Sequence, residues 1–538
     1  MVPTLGLVVM LVVAFAHGWR SDKEARWPYL FDCYRDIGIA QGILDGSYPQ
    51  DYMYRDATLW YNPATGALVA LGAWLSGAPV YIVDTRLGIA VNLLVPALFF
   101  FFVARYLDRW SALASTAMLL FGNCWQDVGA TYAPWLWAPQ LALAPFCLAL
   151  FLYWWAWRSR RVGWYIATGL AHGVTFMTHT APAVFFGIVV LVTSLERIYA
   201  RLRREPNAPS VHAILLNTGV LLAVAFVSSL PYTYSILWNY QFHMVNLDPA
   251  HFVSQALLLE NWRGFVTDRL SVSNLMALIG LVFLVVRSPG RFEGCVLLCL
   301  LASALLCLAD NYVAQIVFRK WGVHYPRFVL GHHSLIALST LKAVLFGYGT
   351  TCLAHAALRG IGRLTRSTRG ATSERPAQWE WRAGALVAVA ITCIALGPRY
   401  AESPSFTTSM WWLEEPWQEY EAAYFWVLDH TDPSDVFLCH EGLPLKIAGA
   451  AGRKVVAAYT LFSNPYIEYL SRDLDNEAMF EALHRKDHAT FRSLAAKYDV
   501  KYVLTRTEDT EAIDAAGFPD LVQRFRRGSC AVFELTGA

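Results

Sequence analysis

Charge is scarce in this chain. Asp, Glu, Lys and Arg make up 16% of its 538 residues, and the two signs nearly cancel, to +2. No basic stripe interleaved with stacking aromatics is present, which excludes nucleic acid as a favoured partner. The ten cysteines form no CxxC and no zinc-ligand spacing, so a dithiol redox pair and a thiolate metal centre are excluded too. Cys147, Cys295, Cys299, Cys307, Cys352 and Cys393 sit inside apolar runs, where cysteine behaves as a small core residue. Cys439 and Cys530 lie in more polar sequence and are open to pairing, which spacing alone does not decide. No GxxxxGK[ST], GxGxxG or GxSxG elbow occurs in a usable context, so phosphate-cradling loops and a hydrolase nucleophile are missing. No internal repeat is visible.

Apolar residues are plentiful instead, at 56% of the chain with 14% aromatic, and a mean hydropathy of +0.36 marks a polytopic membrane protein. A spanning helix needs about 20 apolar residues. Segments near that length fall at 2–17, 86–105, 111–124, 135–157, 162–178, 181–195, 211–231, 271–286, 293–309, 327–357 and 383–398, about eleven in all. Arginines gather in every second connection: Arg105 and Arg109, Arg158 to Arg161, Arg197 to Arg204, Arg287 and Arg291, Arg359 to Arg382. By the positive-inside rule those connections are cytoplasmic, and so is the N-terminus. The first segment ends in an A-x-A pattern at Ala14 and Ala16, as a signal peptide does, but no basic stretch precedes it. Retained or cleaved, it leaves residues 18–85 outside. Arg in excess of Lys fits a bacterial plasma membrane.

After residue 398 the apolar runs shorten to strand length, at 436–439, 454–459, 501–505 and 531–535, with helix-like sequence at 476–497. The expected organisation is a membrane module over 1–398 and a small extracytoplasmic α/β domain over 399–538. The Gly-, Ser-, Thr- and Arg-rich link 359–382 reads as a flexible cytoplasmic loop against anionic headgroups.

The outer loop 18–85 is too long for a connector. Two short helices fit inside it, one over about 33–45 stopping at Asp45-Gly46, the other after Asn62-Pro63 and ending near Gly77. Both are too short to span and are expected along the outer membrane surface. On the first, Asp32, Arg35 and Asp36 share one face. Asp32 either caps that helix or carries a charge that the site uses; a capping box would place Glu or Gln where Arg35 stands.

The order of these features resembles the GT-C superfamily of membrane glycosyltransferases, which includes lipid A aminoarabinose transferase, protein mannosyltransferases and polyprenyl-phosphate-dependent mannosyl- and arabinosyltransferases. The resemblance rests on Asp32, Tyr34, Arg35 and Asp36 after a first helix, the stretch ILDGSYP, Tyr61-Asn62-Pro63 before a second short helix, and DTRLGIAVNLLVPALFFFFVARYL returning through the membrane. It covers about the first hundred residues by motif and the rest by topology. Asn62 replaces the first proline of the family's Tyr-Pro-Pro, and Cys33 stands where some families have Glu. The resemblance implies an inverting transfer of sugar from a polyprenyl-phosphate carrier to a lipid, glycan or protein hydroxyl, on the extracytoplasmic face. Asp32 matches the catalytic acidic position. Arg35, Asp36, Arg86, Asp127, His179, His324 and Arg327 are candidate substrate-binding groups; Arg327, in HYPRF, matches the segment that holds lipid phosphate. Members differ in their need for a divalent metal ion, so that point stays open.

Other signals are weaker. His484 and His488 have helical metal spacing, but Arg485 and Lys486 repel a cation. His332 and His333 are adjacent and point apart on a helix. Trp411-Trp412-Leu413-Glu414 departs from the WWD of oligosaccharyltransferases at Leu413. The aromatic runs at 99–102, 135–137 and 153–157 read as membrane packing. A transporter or flippase is the rival reading, but it predicts midplane charges and paired halves, whereas the charges here lie at helix ends and outer loops. A non-catalytic scaffold would leave Asp32 dispensable.

Overall fold

A computed structural model describes the chain except residues 1, 29, 123–130, 207, 247–257, 262–271, 288, 324–328, 330, 368–377, 403–416, 441, 517 and 537–538. The membrane portion runs α1 (Val2–Asp22), α2 (Phe31–Leu44), α3 (Ala64–Ser76), α4 (Val80–Val91), α5 (Leu94–Tyr106), α6 (Arg109–Phe121), α7 (Ala138–Leu141), α8 (Leu143–Ser159), α9 (Val162–Thr178), α10 (Thr180–Leu202), α11 (Val211–Ser228), α12 (Val272–Val286), α13 (Arg291–Trp321), α14 (Gly331–Ser367) and α15 (Gln378–Glu402). Among the described residues seven helices are long and apolar enough to cross a bilayer, fewer than the expected eleven. The difference lies in four members: α6 has 13 residues, α9 has 17 and α12 has 15, while α15 carries only the shorter apolar stretch Leu386–Gly397 among the described residues.

α4 and α5 form one span, Val80–Tyr106, with a break at Asn92. Pro96 removes the amide that Asn92 would bond four residues on, and its ring crowds that carbonyl. The freed Asn92 side chain donates to the Ala133 carbonyl at 2.9 Å and the Trp135 carbonyl at 2.6 Å. It thereby fastens the extended segment ahead of α7 to the bundle.

The link expected to be a loop over 359–382 is largely helix. α14 continues to Ser367 and α15 starts at Gln378, with 368–377 outside the described residues. Arg and Leu are good helix formers, so helical turns run on beyond the apolar stretch.

The C-terminal part comprises α16 (Trp417–His430), β1 (Val436–Cys439), β2 (Lys454–Val455), α17 (Leu470–Arg485), α18 (His488–Tyr498), β3 (Val500–Thr505), α19 (Thr507–Ala516), β4 (Leu521–Arg527) and β5 (Cys530–Leu535). The sheet order is β2-β1-β3-β5-β4. β1 to β3 are parallel, and the β4–β5 hairpin adds antiparallel to β3. The strand expected over 454–459 ends at Val455, whose amide turns away to the Met53 carbonyl at 2.7 Å. The helix expected over 476–497 is two, because Lys486 takes φ +59° and Asp487 then caps α18 through the Thr490 amide at 3.1 Å. Cys439 and Cys530 are both buried and free.

The sheet sits on α2. A π-helical turn, Pro444–Gly449, lies so close that a Cβ on Gly38 would come 2.2 Å from the Gly449 carbonyl. One apolar cluster joins α2 to the sheet, with Ile37 and Ala40 alongside Phe437, Ile447 and Tyr502. Arg453 donates to Asp45 at 2.8 Å, and Lys454 to the Asp51 carbonyl at 2.5 Å. The first helix of the outer loop is therefore not a surface element; it is packed between bundle and sheet.

Candidate active site

α2 begins at Phe31, and its N-cap is Leu30, with no side-chain cap. Asp32 thus lies in the first helical turn and does not serve as the cap. Its carboxylate faces two donors: Arg35 Nη1 reaches Oδ1 at 2.8 Å, and Trp137 Nε1 reaches Oδ2 at 2.9 Å. Trp137 belongs to the segment tied down by Asn92, and the same segment accepts the Cys33 thiol at the Leu136 carbonyl, at 3.1 Å. Two hydrogen bonds leave further lone pairs on the carboxylate, and the side chain is 35% exposed.

Arg35 organises the cluster. Its side chain is only 4% exposed. Nη1 binds Asp32, Nε donates to Asp36 Oδ1 at 3.0 Å, and the Tyr61 ring lies 3.5 Å from Cζ. Nη2 is buried and has no hydrogen-bond partner among the described residues. A buried donor of this kind is costly unless something else accepts from it.

Asp36 is wholly buried. Burial pushes its pKa up, to about 6, against the opposing pull of Arg35. Asp84 on α4 is also wholly buried and faces Asp36 and Cys33.

Tyr61, Asn62 and Pro63 each have a distinct place. Tyr61 covers the Arg35 guanidinium and Pro63 is the residue before α3. The Asn62 amide donates to the Phe176 carbonyl at 2.5 Å and to Thr180 Oγ1 at 3.3 Å. Those two residues flank His179, the N-cap of α10. Its Nδ1 accepts the Ala181 amide at 3.2 Å, which leaves the ring proton on Nε2 as a donor. Burial first, and then the charge of Arg35, hold its pKa down to about 3, so the ring is neutral. His333, at the start of α14, packs edge-on against His179 with ring centroids 4.4 Å apart. Its Nδ1 is buried without a hydrogen-bond partner among the described residues.

Below these two histidines lies a partly open apolar pocket, walled by Phe146, Phe185, Leu300 and Leu341 among other apolar side chains. It is polar only at the histidine end and at Thr340. Asp32 and Arg35 both act electrostatically on His179, which itself lines the pocket, so the histidine stands between the charged cluster and the apolar chamber.

The sequence candidates divide as follows. Asp32, Arg35, Asp36 and His179 come together. Arg86 is exposed on α4 and joins none of them by a hydrogen bond or ion pair among the described residues. Asp127, His324 and Arg327 lie outside the described residues, as does Trp411 to Glu414. The sequence gives no sign of a role for Trp137 or Asp84, and His333 enters there only as a metal ligand set aside. Asn62 had a signal, as the departure from the family's proline. No three His, Cys, Asp or Glu among the described residues are placed to hold a metal ion. His484 donates to or accepts from Asp509 at 3.0 Å, and His488 stacks on Phe518.

No protein-family model matches the sequence, and no curated protein does. Solved structures do match over essentially the whole chain. ArnT from Cupriavidus metallidurans, bound to undecaprenyl phosphate, superposes with a TM-score of 0.52 at 15% identity, over 99% of this chain and 98% of that one. The archaeal oligosaccharyltransferase AglB from Archaeoglobus fulgidus, in complex with an inhibitory peptide and a dolichol-phosphate, gives 0.53 at 12%, over 99% and 74%. The arabinofuranosyltransferase AftD from Mycobacteria gives 0.51 at 12%, over 99% and 41%. These are glycosyltransferases of the GT-C architecture, and the fold of this chain is the GT-C fold.

Proposed function

We propose that this protein is an inverting glycosyltransferase that moves a sugar from a polyprenyl-phosphate carrier to an acceptor hydroxyl on the extracytoplasmic face of the membrane. The observation that carries the reading is the junction of a polar cluster with an apolar chamber: Asp32 and Arg35 act on His179, which lines an apolar pocket suited to a prenyl chain. The solved relatives that hold undecaprenyl phosphate and dolichol-phosphate support the donor class. The arginine-rich alternate connections support the orientation.

The acceptor oxygen attacks the anomeric carbon on the face opposite the phosphate, and its proton passes to Asp32 as general base. The bond from the anomeric carbon to the phosphate oxygen breaks, and the electron pair stays on the leaving phosphate. Arg35 Nη2 and the His179 Nε2 proton are donors free to meet the growing negative charge in a site with little water. Trp137 and Arg35 aim the carboxylate; Tyr61 and Asp36 hold the guanidinium in place.

The test uses full-length protein in detergent with a panel of labelled polyprenyl-phosphate sugars. Wild type should transfer or hydrolyse one of them, and Asp32→Asn should lower turnover by about 10²–10⁴, the range for loss of a general base. Undiminished turnover in Asp32→Asn would sink the catalytic role. Silence across the whole donor panel would favour transport.

A further inference from the structure

A second cavity lies at the other end of the bundle. Helix α10 starts at Thr180, just after its cap His179, and carries Arg197 nearly five turns later, about 26 Å along its axis at 1.5 Å per residue. There, α8 to α11 surround a partly open cleft lined by Tyr153, Trp157, Tyr165 and Pro209, by Arg160 and Arg197, and by Ser194, Asn217 and Thr218. No carboxylate lines it.

Arg197 is held in place by its surroundings. Nη2 donates to the Trp157 carbonyl at 2.5 Å and Nη1 to the Tyr165 hydroxyl at 3.4 Å, while the Trp157 ring lies 3.3 Å from Cζ. A guanidinium has five N–H donors, so most remain available to a ligand in the cleft. Ser194 and Thr218 pair with each other at 3.0 Å across α10 and α11. Asn217, one residue earlier on the strongly apolar α11, makes no hydrogen bond among the described residues. A polar amide within a membrane helix tends to face a partner or a functional path. Here it faces the cleft.

The outer flank of the cleft is apolar. Leu215 and Leu216 on α11 and Ile166 and Leu170 on α9 are exposed, so the rim continues into a lipid-facing surface. A fixed cation at Arg197, the exposed Arg160 beside it, hydroxyls, an amide and aromatic walls, opening toward hydrocarbon, suit a phosphate group with acyl chains attached.

We propose that this cleft is a second binding site, for the phosphate of an anionic lipid headgroup, remote from the donor cavity and independent of the reading of Asp32. Binding would draw α8, α9, α10 and α11 together and stabilise the fold by linkage.

Delipidated full-length protein in detergent is titrated with phosphatidylglycerol, with inorganic phosphate and with diacylglycerol, and the thermal midpoint is followed. Phosphatidylglycerol should raise the midpoint, and diacylglycerol, with the same tails and no phosphate, should not. Asn217→Leu keeps a good helix former on α11 and removes the amide; Arg197→Gln removes a cation. Each should weaken the apparent affinity for phosphatidylglycerol by about tenfold or more, the scale of one charge-assisted hydrogen bond. A rise with inorganic phosphate alone, lost in both variants, supports the phosphate site and assigns it to the free anion. An equal rise with diacylglycerol, or an unchanged phosphatidylglycerol affinity in a folded Asn217→Leu protein, would overturn the proposal.

Discussion

Arg35 meets Asp32 with one nitrogen, Asp36 with another and Tyr61 with its face, and its third nitrogen has no hydrogen-bond partner among the described residues. A lysine is a point charge on a flexible stem and cannot hold that set. Arg35→Lys is therefore expected to lower kcat/KM by about a hundredfold, roughly the worth of two charge-assisted hydrogen bonds, with donor binding weakened as well; steady-state kinetics and a donor titration read both. Asp36 makes a separate prediction. Burial raises its folded pKa to about 6, above the 3.8 of a free Asp carboxyl. The folded state thus holds this proton more tightly than the unfolded chain does. The stabilisation is complete below pH 4 and is lost as pH rises through 6. The difference in thermal midpoint between wild type and Asp36→Asn should move against wild type over that window and be flat above it; a flat difference throughout would show that Asp36 does not titrate there. Asp32, Arg35 and Asp36 were legible because helical spacing alone gathers them. Trp137 was not, since its contact with Asp32 spans 105 positions and an indole in an aromatic run reads as packing.

At the scale of elements, α2 and the α9–α10 turn position the site. The bounds of α2 and α3 were readable from Asp45-Gly46, Asn62-Pro63 and Gly77, which are strong local punctuation. What covers α2 was not readable, because its cover is a turn about 400 residues later. Gly38 lies against the Gly449 carbonyl, with no room for a methyl group. Gly38→Ala should cost about 1–3 kcal/mol, as overpacking does, seen as a lower thermal midpoint with faster proteolysis of the C-terminal part. Asn62→Ala removes the bonds to Phe176 and Thr180 on either side of His179. Because it frees the turn and touches no charge, it should raise the KM for the donor more than it lowers kcat. β4 escaped notice for a related reason: LVQRFRR puts Gln and Arg on its exposed positions, and the run falls short of the apolar content that marks a strand.

At the scale of the molecule, the division of labour between polar head and apolar chamber can be tested directly. The overall class was legible from composition and from the alternation of arginines, since bilayer thickness and backbone satisfaction leave few architectures open. The chamber was not, because Phe146, Phe185, Leu300 and Leu341 come from four separate helices and each reads as ordinary membrane sequence. Ala337 on α14 lines the same chamber, one helical turn beyond His333, so a larger side chain there would fill space that a prenyl tail is proposed to occupy without touching Asp32 or Arg35. For Ala337→Trp we expect turnover of a long-chain polyprenyl-phosphate donor to fall by about tenfold or more, given about 0.8 kcal/mol per buried methylene. Turnover of a donor analogue with a single isoprene unit should stay near wild type. Parallel losses on both donors would mean that the substitution reaches the catalytic cluster; no loss on either would place the prenyl chain elsewhere. Only the selective loss supports a molecule whose apolar half recognises the tail while its polar half carries out the transfer.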